Sequence, residues 1–119
     1  MKVFVAVAVG VLVGCGTAFA QAAQAPDPAK VAAGVKVFET QKCSQCHAIK
    51  GVGGKLSTAL DGVGGKLTEA DIKKWLTAAL EMEAKLPKKP VMPMSTYLKN
   101  HKLTEADVEA LVAYMRSLK

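Results

Sequence analysis

The stretch Cys43-Ser44-Gln45-Cys46-His47 decides how the rest of this chain is read. Two thiols three positions apart lie on one side of a single helical turn, and an imidazole follows directly. A small disulfide and a thioredoxin-like redox pair are the plain readings of C-x-x-C. The second expects a preceding strand in a βαβ setting, which the flanking residues do not show. Zinc and iron–sulfur sites generally need more cysteines than this chain has, since the only other one is Cys15.

Upstream, residues 1–20 read MKVFVAVAVGVLVGCGTAFA: an early lysine, an apolar run from Val3 to Val13, and small residues at Ala18 and Ala20. That pattern is a secretory signal with an A-x-A cleavage site, too short to span a membrane comfortably. The expected organisation is a signal peptide over 1–20, a flexible segment over 21–27 and one domain over 28–119, located in the periplasm. A second reading comes from LVGC (residues 12–15), which resembles a lipoprotein box and would leave Cys15 as a lipidated, membrane-anchored N-terminus. After cleavage at Ala20 about 100 residues remain, enough for one core. The full sequence of 119 residues carries a formal charge of +6 with its lysines scattered. Such a surface suits acidic protein partners better than nucleic acid, which the compartment also excludes.

The pattern downstream is helical. Val31, Val35 and Phe38 recur on one face of a helix that Pro28 can start, with Gly34 beside the stripe, where a second helix can approach closely. A second helix opens at LTEAD with Thr68 and Asp71 as cap and reciprocal acid, and Ile72, Trp75, Leu76, Ala79 and Leu80 as its apolar face. A third repeats that opening at Thr104 and Asp107 and continues through Val108, Leu111, Val112, Met115 and Leu118. Residues 50–66 and 81–102 read as long loops by their glycine and proline content. Long loops in a small domain are uncommon unless something functional orders them. Only Phe38, Trp75, Tyr97 and Tyr114 supply aromatic bulk after residue 20, so a large apolar cofactor would fill the shortage.

C-x-x-C-H followed by such loops is the attachment signature of c-type haem. From residue 28 onward the chain resembles a single-haem class I c-type cytochrome, bacterial and exported: Gly34 and Phe38 on the first helix, the motif, a glycine-rich loop, a middle helix, a methionine loop and a last helix ending LVAYMRSLK. The resemblance implies an all-α cytochrome c fold, three or more helices wrapped around one haem held covalently by Cys43 and Cys46. It implies His47 on the iron, the first and last helices crossing so that Gly34 and Phe38 face Tyr114, and a methionine as sixth ligand. The carbonyl that orients the histidine is sought in the glycine-rich loop. The family's glycine–proline pair is replaced here by Ser57 and Thr58, which leaves the donor of that carbonyl open.

The methionine lies in KKPVMPMSTY (residues 88–97). Met94 is favoured because Tyr97, three positions on, matches the family's pattern of methionine, two residues, aromatic; Met92, which precedes a proline, is the alternative. His101 is a weaker candidate ligand, read first as a surface residue. Trp75 is either a core anchor or a donor to a haem propionate. Lys42, Lys50, Lys55, Lys88 and Lys89 are solvated lysines by default and a docking ring by alternative. His/Met ligation leaves no open site for substrate, so the resemblance implies a single-electron carrier without enzymatic activity. A monomer is expected, serving redox partners that are periplasmic or part of a membrane complex. Two other readings stand beside it: a haem enzyme or gas-binding protein with a labile sixth ligand, and a haem-free copper-handling protein using Cys43, Cys46, His47 and the loop methionines.

Overall fold

A computed structural model describes residues 24–119. Ala20 and Cys15, on which the export and lipidation readings rest, lie outside the described residues. Six helices follow in order: α1 (Pro28–Thr40), α2 (Val63–Lys66), α3 (Glu69–Thr77), α4 (Ala79–Ala84), α5 (Met94–Asn100) and α6 (Glu105–Ser117). A 3-10 turn at Cys43–Gln45 follows α1, and no strand is formed among the described residues.

Local chemistry sets the ends of the long helices. Asp27 caps α1 by accepting from the Ala29 N–H at 2.7 Å, and Pro28 occupies the first position, where a missing N–H costs nothing. At α6 the reciprocal cap is complete: Thr104 accepts from the Asp107 N–H at 3.1 Å, and the Asp107 carboxylate accepts from the Thr104 N–H at 3.0 Å. In α3 it is half made, because the Asp71 carboxylate takes the Thr68 hydroxyl at 2.7 Å instead of the backbone.

The middle of the chain differs from the periodic reading. The expected single helix breaks at Ala78 (φ −138°, ψ 43°), so Leu80 leaves the apolar face and stands 67% exposed while Ala79 stays buried. Both expected loops contain helices, α2 in the first and most of α4 with all of α5 in the second. Segments of four to seven residues are too short to show a helical period, and their flanking glycines and prolines read as loop.

The core lies where α1 crosses α6. Phe38 from α1, Ile72 from α3, and Val108, Leu111, Val112 and Met115 from α6 form its buried cluster. Phe38 meets Tyr114 edge to face, with ring centroids 5.8 Å apart at 80°. At Gly34 the two backbones touch: a Cβ there would collide with the Ala110 carbonyl oxygen and lie 2.6 Å from the Tyr114 Cβ. The position must therefore be glycine for reasons of space. Gly34→Ala is expected to force the helices apart and cost about 1–3 kcal/mol, read by denaturant unfolding of the intact protein.

Candidate functional site

The residues that follow α1 abandon the α-helix within three positions. Lys42 takes the left-handed conformation (φ 53°), and the chain then turns through Cys43–Gln45, closed by Cys46 N–H to Cys43 C=O at 3.2 Å and His47 N–H to Cys43 C=O at 3.0 Å. In a 3-10 turn positions i and i+3 eclipse, so Cys43 and Cys46 face one way. Both are half-buried free thiols. Burial pushes the Cys43 thiol up from its ordinary value, a backbone hydrogen bond opposes this, and Cys46 beside it adds a smaller rise.

The glycine-rich segment packs directly on this turn. The Gly54 N–H donates to the Ser44 carbonyl at 2.7 Å, and a Cβ on Gly54 would collide with the Gln45 carbonyl oxygen. The following residues are strung along the turn by Ser57 N–H to Cys46 C=O at 3.0 Å and Leu60 N–H to Ala48 C=O at 2.9 Å. Between those two bonds the Thr58 carbonyl comes to 2.7 Å from His47 Nδ1. A carbonyl oxygen only accepts, so Nδ1 carries the proton and Nε2 keeps its lone pair for a metal. The orienting carbonyl thus comes from Thr58, one of the two residues standing where the glycine–proline pair is missing, and not from residues 50–54.

Cys43, Cys46 and His47 open into a cavity of about 750 Å³, within the roughly 300–1,000 Å³ of pockets that enclose a bulky organic ligand. Its walls are chiefly apolar and drawn from most of the fold: Phe38, Leu60, Ile72, Leu76 and Leu111 among them. Both methionines of the 88–97 segment line it. Met94, the first residue of α5, is half-buried, whereas Met92 is 54% exposed. The donor set and the space fit a haem: two thiols on one edge, an imidazole with its free nitrogen fixed, a soft thioether, and apolar walls. Among the described residues no three His, Cys, Asp or Glu side chains gather as a metal cluster.

Other side chains divide between the cavity, the core and the contacts that hold α5. Trp75 lines the cavity instead of joining the buried cluster. His101 is half-buried and also lines it, its ring stacked on Tyr97 at 3.9 Å and 1°, with Nδ1 3.1 Å from the Tyr97 carbonyl. The surface position expected for His101 is therefore corrected: α5 folds its C-terminal end back over the cavity. Tyr97 reaches across to donate its hydroxyl to the Gln41 carbonyl at 2.6 Å, tying α5 to the end of α1. Met115, on the apolar stripe of the last helix, is core at 7% exposure. Glu83, which looks like part of a solvated EMEAK face, is instead 7% exposed and bonded to Ser95. No one-dimensional signal marks it, because its partner is brought up by the fold.

Loss of one such tie is measurable: Tyr97→Phe removes the hydroxyl donor from the Gln41 carbonyl, leaving only the long Cys43 Sγ contact at 4.0 Å, and is expected to cost about 1 kcal/mol in denaturant unfolding.

The family model described as cytochrome c matches residues 31–119. No curated protein and no solved structure matches the chain. The family match runs from the first turn of α1 to the C-terminal residue and so takes in the C-x-x-C-H turn, the cavity walls and the methionine segment. The chain belongs to the cytochrome c family, whose members bind haem c covalently and carry electrons.

Proposed function

We propose that this haem c electron carrier works as a monomer in the periplasm after export, with His47 and Met94 as the two axial ligands of one haem attached through Cys43 and Cys46. The observation that carries the ligand reading is the pairing of a histidine whose Nδ1 is occupied by Thr58 with a half-buried methionine at the start of a helix on the same cavity. The bound haem supplies a one-electron couple at its iron. His47 contributes its Nε2 lone pair, and the hydrogen bond at Nδ1 raises the basicity of that ring. Met94 contributes a soft neutral thioether, which favours the ferrous state and raises the potential. With both positions taken by the chain, small molecules are excluded from the iron and enzymatic turnover is not expected. Trp75, which lines the cavity, is our candidate for a donor to a polar edge of the group through its indole N–H. No helix among the described residues is long and apolar enough to cross a membrane.

The partner reading rests on the loop between α4 and α5. Val91 at 94% exposure and Met92 at 54% lie close in sequence to the exposed Lys85, Lys88 and Lys89. An apolar spot with lysines near it suits a redox partner, soluble or in a membrane complex, whose docking face is acidic.

Mass spectrometry of the mature protein tests the first part: one haem added through two thioethers is expected, and the same spectrum reads the N-terminus, distinguishing cleavage after Ala20 from lipidation at Cys15. The ferric protein is expected to show an iron–thioether absorption band that Met94→Ala abolishes and Met92→Ala retains; the reverse result assigns Met92. Rapid carbon monoxide binding by the native ferrous protein would favour the labile-ligand reading. Electron transfer to an acidic partner is expected to slow about tenfold or more in Lys88→Glu/Lys89→Glu and to fall with added salt in the parent.

A further inference from the structure

We infer that Glu83 is a positioning residue for the sixth ligand, gripping the start of α5 so that Met94 stays on the cavity; the inference rests on the Met94 reading above. Glu83 is the one buried charged side chain among the described residues, 7% exposed. Its carboxylate is fully engaged by a single partner: the Ser95 N–H donates to Oε1 at 2.8 Å and the Ser95 hydroxyl to Oε2 at 2.6 Å. Ser95 directly follows Met94. Two charge-assisted bonds from adjacent groups fix both the position and the rotation of that backbone.

The grip stands where the helix lacks a cap of its own. Pro93 occupies the cap position of α5 and supplies no side-chain acceptor. Glu83 provides it from α4, and the negative charge also suits the first turn of a helix. Between the two anchors the chain has little else to hold it. Among the described residues, residues 87–92 make no backbone hydrogen bond, and all but Pro90 are exposed. The Glu83–Ser95 pair therefore closes this loop at its base, and Tyr97 to Gln41 holds α5 further along. A buried carboxylate bonded only to this segment is expensive for any purpose other than fixing it. Opening of the loop, and with it release of the Met94 thioether, is then governed locally by this pair and not by the stability of the α1–α6 core.

Imidazole binding to the ferric holoprotein tests this, because an added ligand enters only when the loop has released the iron. The expectation is that Glu83→Ala strengthens apparent imidazole binding about tenfold or more, equivalent to about 1.4 kcal/mol of lost closure. Ser95→Ala, which keeps the N–H bond, should have a smaller effect in the same direction. Glu83→Gln, which keeps an acceptor, should recover most of the parent's resistance and its iron–thioether band. Gly34→Ala, which loosens the core, should lower global stability and leave imidazole affinity within about twofold. Parent-like imidazole affinity in Glu83→Ala, or an equal rise in Gly34→Ala, overturns the inference. Should Glu83→Ala fail to mature with haem, a parent-like affinity in Ser95→Ala overturns it alone. The ligand reading is judged separately: retention of the band in Met94→Ala overturns both, whereas its loss there, with Glu83 and Ser95 variants unaffected, overturns only the role of Glu83.

Discussion

Backbone contact between α1 and α6 is the constraint from which the site follows. With no Cβ at Gly34 the Ala110 carbonyl sits against the helix, and Phe38 one turn on meets the Tyr114 ring. That crossing fixes where α1 points and therefore where it stops. The left-handed residue at Lys42 and the 3-10 turn behind it then set both thiols and His47 at the mouth of a cavity that the side chains of a chain this small do not fill. A cluster of six residues on one side and a large apolar space on the other is an unfinished interior, and a covalently held macrocycle is a physically reasonable completion of it.

Much of this was readable in one dimension. The C-x-x-C-H spacing, the helix start at Pro28, the caps at Thr68 and Thr104, and the stripe of α6 are local signals, written within a few residues and unaffected by what the rest of the chain does. The close approach at Gly34 was also legible, because glycine beside an apolar stripe has few other uses. The resemblance to cytochromes c rested on the order of these signals along the chain, and the family match spans residues 31–119.

What the sequence concealed is short or long-range. Helices α2, α4 and α5 are one or two turns long, and Gly62 and Pro93 stand directly before α2 and α5, so period carries no information about them. The break at Ala78 turns Leu80 outward although its spacing is that of a buried residue. Thr58 acts through its carbonyl, which every residue possesses, so no side-chain pattern can point to it. Glu83 and His101 take their surroundings from the fold of the methionine segment, and as isolated letters they resemble solvated surface.

The helices that meet at Gly34 and Ala110 stand at opposite ends of the domain, which gives the crossing a temporal meaning. Contacts of such large sequence separation require the whole intervening chain to be closed as a loop, an entropic cost that the crossing has to offset. A chain emerging from its N-terminus presents Cys43 and Cys46 long before α6 exists to complete the core. The walls that Leu111 and Met115 give the cavity come only with that last helix, so the two thiols stand in a less enclosed setting until α6 is in place.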